Sequence, residues 1–195
     1  MTSGRLAAFS DGVLAIIITI IITIMMLELK VPHGAECSAL TPLLPVFVSY
    51  ALSFVYVDIY WNNHHHLLKA VDRISGGVLW AHLHLLFWLS LFPFAAGYLG
   101  ENHFAAAPTA LYGIVLLMAG VAYTILVRAL LVHHEKDSAL ARAIGRDREG
   151  LLSLVSYASG IGLSFVVPWV GNVLSVLVLV AVIWFVEAHQ QSRGH

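Results

Sequence analysis

Cysteine is almost absent from this 195-residue chain. Cys37 stands alone, so no disulfide within the chain and no cysteine metal cluster can form. Charge is scarce too. Asp, Glu, Lys and Arg make up 11% of the residues, against about 25% in an ordinary soluble domain. That poverty excludes a solvated globular enzyme and a disordered tail. A net charge of -1 offers no basic field for nucleic acid. No small-residue cleavage site follows the first apolar run, which is read as a helix that stays in the membrane. Paired catalytic carboxylates, an HExxH motif and a local Ser–His signature are all missing, which argues against an intramembrane enzyme. No span carries arginines at three-residue spacing, so a voltage-sensing ladder is excluded.

What the chain has is apolar length. Hydrophobic residues are 59% of it and the mean hydropathy is +0.86. A spanning helix needs about 20 apolar residues, and six segments qualify: 9–31, 43–61, 78–99, 109–132, 151–167 and 170–186. The last two are separated only by Pro168 and Trp169, with Gly171 and Asn172 just after, and read as a tight helical hairpin. The expected fold is all-α, a single six-helix transmembrane domain over residues 1–195. Basic residues set its orientation. Nine of the ten Lys and Arg fall on one side: Arg5, Lys69, Arg73, Arg128, Lys136, Arg142, Arg146, Arg148 and Arg193, with only Lys30 opposite. The positive-inside rule makes that side cytoplasmic. Both termini are then inside, which agrees with an even number of spans. The expected location is the cell membrane, as a multi-pass protein among lipids. The polar stretch from His133 to Gly150 alternates in sign and reads as a solvated inner connector.

The first segment is unlike the others. A polar cluster, Arg5, Ser10 and Asp11, stands at its cytoplasmic end, and two threonines, Thr19 and Thr23, are set among isoleucines. Ser10 and Asp11 suit an N-cap, and an acid there suits the helix dipole. They equally suit a network with another segment, histidines included, since a carboxylate in hydrocarbon costs about 2.5–3.5 kcal/mol at mid-depth unless paired. At 3.6 residues per turn, Gly12, Ile16, Thr19, Ile20, Thr23 and Leu27 share one stripe, and Val13 or Leu14, Ile17, Ile21 and Met25 the opposite one. Small and hydroxyl residues serve helix packing or a wet path equally well. Bulky isoleucines on such a path would gate it by dewetting. Composition leaves both readings open.

Other polar residues are weighed more briefly. His64, His65 and His66 are consecutive, point about 100° apart on a helix and cannot chelate one ion; no metal site is expected. His82 and His84 read as buried, hydrogen-bonded residues near the inner end of the third segment, and His133 and His134 as solvated. Asp58 lies inside the second segment, where a carboxylate calls for an interhelical partner or an ion. Glu28 and Lys30 either anchor the outer end of the first helix or concentrate cations there. Trp61, Trp80, Trp169 and Trp184 read as interface belt residues.

The stretch Arg5-x-x-x-Phe9-Ser10-Asp11, running on through Gly12-Val-Leu-Ala-Ile-Ile-Ile-Thr, resembles the signature of the transmembrane protein 175 family of potassium channels. Tyr60-Trp61-Asn62-Asn63-His64-His65 is similar to that family's aromatic–His–His stretch. The likeness is specific in the first helix, moderate in the second and architectural elsewhere. It implies a homotetramer with a central pore lined by helix 1, and no cofactor beyond permeant potassium near Ile16 and Thr19. The constriction isoleucine maps onto Ile16 and the hydroxyl layer onto Thr19. The next bulky positions map onto Ile20 and Thr23, and the last is often leucine in relatives. Arg5, Phe9, Ser10 and Asp11 would anchor the pore helix, with Trp61, His64 or His65 as partners. No TVGYG-like carbonyl filter is present; Gly97-Tyr98-Leu99-Gly100 reads as a helix end. The function implied is a leak-like, potassium-preferring cation channel with a hydrophobic constriction. The alternative is a proton conductor or proton-coupled transporter. That alternative wants titratable groups along the path and internal symmetry, whereas no such group stands between Asp11 and Glu28 and no repeat is visible.

Overall fold

The computed structural model describes residues 2–33, 36–69 and 74–131. The expected fifth and sixth spans, the inner connector and the C-terminus lie outside the described residues. Five α-helices make up the described part: α1 Ser3–Glu28, α2 Leu44–Lys69, α3 Gly76–Ser90, α4 Phe92–Glu101 and α5 Ala106–Leu131. A 3₁₀ segment, Cys37–Leu43, leads into α2. Four stretches are long and apolar enough to cross a membrane: Ser3–Glu28, Cys37–His65, Gly76–Glu101 and Ala106–Leu131. The described chain is therefore all-helical, with four membrane-crossing candidates.

Several boundaries differ from the sequence expectation. α1 begins at Ser3, not near Phe9, because Leu6 and Ser10 are fully buried and draw the first turns into the packed core. It stops at Glu28, and Pro32 follows, consistent with the restriction that proline places on the residue before it. α2 runs on past Trp61 to Lys69, which puts the histidine run on the helix. The third segment is not one rod. It breaks at Leu91 into α3 and α4, with Pro93 in the first turn of α4. Proline has no N–H for the carbonyl four residues back, and the Leu91 N–H tightens instead onto the Trp88 carbonyl at 3.2 Å. Ser75 caps α3, its Oγ accepting from the Val78 N–H.

α1 packs chiefly on α2, α2 on α4, and α3 on α5. The α2–α4 approach is set by glycine. A methyl group at Gly100 would stand 2.5 Å from Ser49 Oγ and 2.9 Å from the Val46 Cα, and one at Gly97 would stand 3.0 Å from the Tyr50 hydroxyl. Membrane helices gain little from a hydrophobic effect between themselves, so close backbone approach takes over. This is what the Gly97–Gly100 stretch does: both residues are buried inside α4. Beyond it, the chain reverses into α5 through His103 and Phe104, whose φ values of 49° and 59° are left-handed. The Phe104 N–H bonds the Leu99 carbonyl at 3.1 Å and closes the end of α4.

Gly100→Ala should lower thermal stability in detergent by about 1–3 kcal/mol, the usual cost of overpacking. Gly76→Ala is the control, because a methyl there meets nothing within 4 Å. Equal melting temperatures for the two variants would refute the close-approach account.

Candidate functional site

The 3.6-residue period divides α1 cleanly. Leu6, Ser10, Leu14, Ile17 and Ile21 are buried against the rest of the chain. Gly12, Ile16, Thr19, Ile20, Thr23 and Leu27, the stripe singled out from the sequence, are all exposed. Ile16 is 61% exposed and Leu27 70%. No described element of the chain covers this face.

The two threonines on that face are not free rotors. Thr19 Oγ1 donates to the Ala15 carbonyl at 2.8 Å, and Thr23 Oγ1 donates to the Thr19 carbonyl at 2.7 Å. A threonine side chain in a helix chooses between two rotamers, and this bond back to the preceding turn selects one of them. The hydroxyl positions are thereby set by α1 itself.

At the other end of the helix stands a polar anchor. Ser10 Oγ donates to the Leu6 carbonyl at 2.7 Å and lies 2.6 Å from His82 Nε2. A hydroxyl has one proton. Since that proton goes to Leu6, Ser10 accepts from His82, and His82 carries its hydrogen on Nε2. Its Nδ1 is then an acceptor. It is buried without a hydrogen-bond partner among the described residues, as is Nε2 of His64. The two imidazoles lie side by side, tilted by 42°, with centroids 4.8 Å apart. Beside them, Trp61 Nε1 donates to Asp11 Oδ1 at 2.8 Å. The Trp61 ring stacks on His65 at 5.9 Å, and Phe9, largely exposed, leans on His82 at 6.3 Å. α1 is thus tied to α2 through Asp11 and to α3 through Ser10.

Arg5 is not part of this cluster. It is exposed on the first turn of α1 and makes no ion pair among the described residues. The N-cap reading of Ser10 and Asp11 falls away, because the cap position belongs to Thr2, eight residues before Ser10. Asp58 departs from the expectation of an interhelical partner. It is exposed on α2 and pairs with no described residue. His84 accepts from Trp88 Nε1 at 2.9 Å within its own helix. The side chain of His66, with His133, His134, Trp169 and Trp184, lies outside the described residues. No group of three potential metal ligands occurs among the described residues.

Two features escaped the sequence reading. His82 was expected to be buried, but nothing in its neighbourhood named Ser10, 72 residues away, as its partner. The second is a small polar seam between α2 and α5, where Ser53 Oγ and the Tyr112 hydroxyl meet at 3.0 Å. The signal was there in the spacing of Ser49 and Ser53, four apart on one face of α2.

Comparison with known proteins is consistent along the length of the chain. The family described as Endosomal/lysosomal potassium channel TMEM175 matches residues 5–93. A protein of Chryseobacterium sp. (strain P1-3), described as a potassium channel, is 50% identical over 95% of this chain and 94% of its own length. A potassium channel of Streptomyces collinus is 34% identical over 84% of this chain and 83% of its own. Among solved structures, a lysosomal potassium-selective channel TMEM175 homologue from Chamaesiphon minutus aligns with a TM-score of 0.78 and 25% identity, covering 93% of this chain and 96% of that one.

Removing the Ser10 hydroxyl leaves a buried imidazole N–H without an acceptor, so Ser10→Ala should cost about 1–3 kcal/mol. Trp61→Phe deletes a donor to a partly exposed carboxylate and should cost about 1 kcal/mol or less. Thermal unfolding of the two purified variants checks the order, and a larger loss from Trp61→Phe would contradict it.

Proposed function

Because the chain belongs to the TMEM175 family of potassium channels, we propose that it conducts potassium along a path lined by α1 from four copies of the subunit. It is a multi-pass protein of the bacterial inner membrane and not an enzyme. The proposed subunit has six spanning helices in one domain over residues 1–195, with both termini cytoplasmic.

One observation carries this reading: the stripe Gly12, Ile16, Thr19, Ile20 and Thr23 is exposed and covered by none of the described residues, while Leu14, Ile17 and Ile21 on the opposite stripe are buried. In this reading four copies of α1 turn that stripe toward a common axis. Ile16 and Ile20 then form apolar rings, with the Ile16 ring the waist. A side-chain methyl offers an ion no ligand, so an ion crossing the waist keeps its water or briefly loses it. Potassium holds its hydration less tightly than sodium, so an apolar waist penalises sodium more. Discrimination by that route is milder than in a filter built of carbonyl rings. Thr19 places oxygens just beyond the waist. Nothing on the stripe between Asp11 and Glu28 titrates, so the path is leak-like rather than proton-driven. The anchor of Phe9, Ser10 and Asp11 with Trp61, His64, His65 and His82 holds the inner end of α1, and a tilt of the pore helix would pull first on its bonds to Trp61 and His82.

The test is flux from purified protein in liposomes under potassium and sodium gradients. Ile16→Asn should raise potassium conductance several-fold and bring the potassium and sodium rates closer together. Unchanged flux and unchanged selectivity would count against the waist.

A further inference from the structure

We propose that Asp58 acts on the permeant ion through its field: four copies of its carboxylate ring the Ile16 waist from behind α1, lower the barrier to a cation there and raise it to an anion. The inference rests on the reading that α1 lines the path, and deepens it by naming what selects the sign of the ion.

An apolar waist discriminates by how tightly an ion holds its water, and methyl groups carry no sign. A narrow neck of isoleucine resists chloride as well as potassium, so exclusion of anions needs a charge. α1 supplies none, because no charged residue stands between Asp11 and Glu28. Between the level of Asp11 and the outer ends of the helices, α1 to α5 hold a single charged side chain, and it is Asp58.

Its depth follows from one bond. Trp61 Nε1 donates to Asp11 Oδ1, which brings that turn of α2 level with that turn of α1. Asp58 precedes Trp61 by three residues, so it lies on the same face of α2 and about 4.5 Å farther outward. The same rise along α1 leads from Asp11 to Leu14, and Ile16 is about 3 Å beyond that. The carboxylate and the waist are therefore nearly level. Packed helices lie with their axes about 8–10 Å apart, which puts the carboxylate on the order of 12 Å from the axis of the proposed path.

Asp58 is exposed and pairs with no described residue. A carboxylate inside a span is costly unless something of opposite sign comes to it. Phe54, exposed one turn farther out on the same helix, offers nothing. In this reading the opposite sign is the cation crossing the waist. The walls between them are apolar side chains of low dielectric, through which a field carries farther than through water. The field acts on charge and not on hydration. It helps potassium and sodium alike and leaves their ratio to Ile16.

Asp58→Asn keeps the shape and removes the charge, whereas Asp58→Glu keeps the charge. In liposomes under a potassium chloride gradient, Asp58→Asn should lower potassium flux roughly tenfold, the effect of four unit charges at about 12 Å even at the dielectric constant of water. Chloride flux should rise in the same vesicles, and the potassium-to-sodium ratio should stay that of the parent. Asp58→Glu should recover most of the lost potassium flux. Parent-like potassium and chloride rates from Asp58→Asn would overturn the role. Loss of assembly in Asp58→Asn, with Asp58→Glu intact, would make the residue a packing group and overturn it too. If Ile16→Asn still changes flux in the same preparation, the lining of the path by α1 survives either result; if neither substitution has an effect, the lining falls as well. A second measurement does not depend on variants folding. The unaltered channel in a potassium chloride gradient should reverse close to the potassium equilibrium potential. Chloride passing at a rate comparable to potassium would leave the carboxylate no task and overturn the proposal.

Discussion

The hydroxyl of Ser10 fixes the rotation of α1. It lies on the helix's buried stripe, gives its proton to the turn below and takes one from His82. Turning α1 about its own axis would break that bond inside a low-dielectric core, where an unpaired imidazole N–H is costly. With Ser10 held, Leu14, Ile17 and Ile21 follow it inward. The 3.6-residue repeat then leaves Gly12, Ile16, Thr19 and Thr23 no place but the opposite face. One hydrogen bond near the end of the helix thus sets what its middle presents. Asp11 and Trp61 reinforce the same orientation from the α2 side.

The division of labour along α1 follows from the cost of polarity in a membrane. Groups that need partners, Ser10 and Asp11, are gathered in the first third of the helix and are satisfied by α2 and α3. The middle carries no charge, and its two hydroxyls are satisfied by their own backbone. A surface of that kind can face lipid, a neighbouring copy or a narrow path without leaving a donor unpaired. The remaining helices serve as a rigid frame. α2 and α4 approach at Gly100 to the limit that backbone allows, and α3 lies along α5. The break at Leu91 lets a single membrane-crossing stretch supply His82 to α1 from α3 and the Gly97–Gly100 surface to α2 from α4.

Much of this was legible in the residues. Long apolar runs announce membrane helices because the bilayer demands internally satisfied backbone. The two stripes of α1 could be drawn with a helical wheel, since Thr19 and Thr23 are four apart and in phase with Gly12 and Ile16. The helix ends were less legible. α1 and α2 extend past their apolar runs because burial of Leu6, Ser10, His64 and Leu68 holds the flanking turns. Asp58 shows the limit from the other side: a carboxylate inside a span invites a partner, yet Asp58 is exposed on α2 and pairs with no described residue.

By itself the sequence determined the helical class, the register of the first helix and the chemistry available on each of its faces, because these depend on local periodicity and on side-chain type. It could not determine which face turns inward, since packing and path lining call for the same small and hydroxyl residues. Nor could it choose between a cap and a bridge for Ser10, because that depends on a histidine far along the chain. Only the tertiary structure decided these points, by bringing α3 alongside α1 and giving Ser10 an interhelical bond that a capping residue does not make.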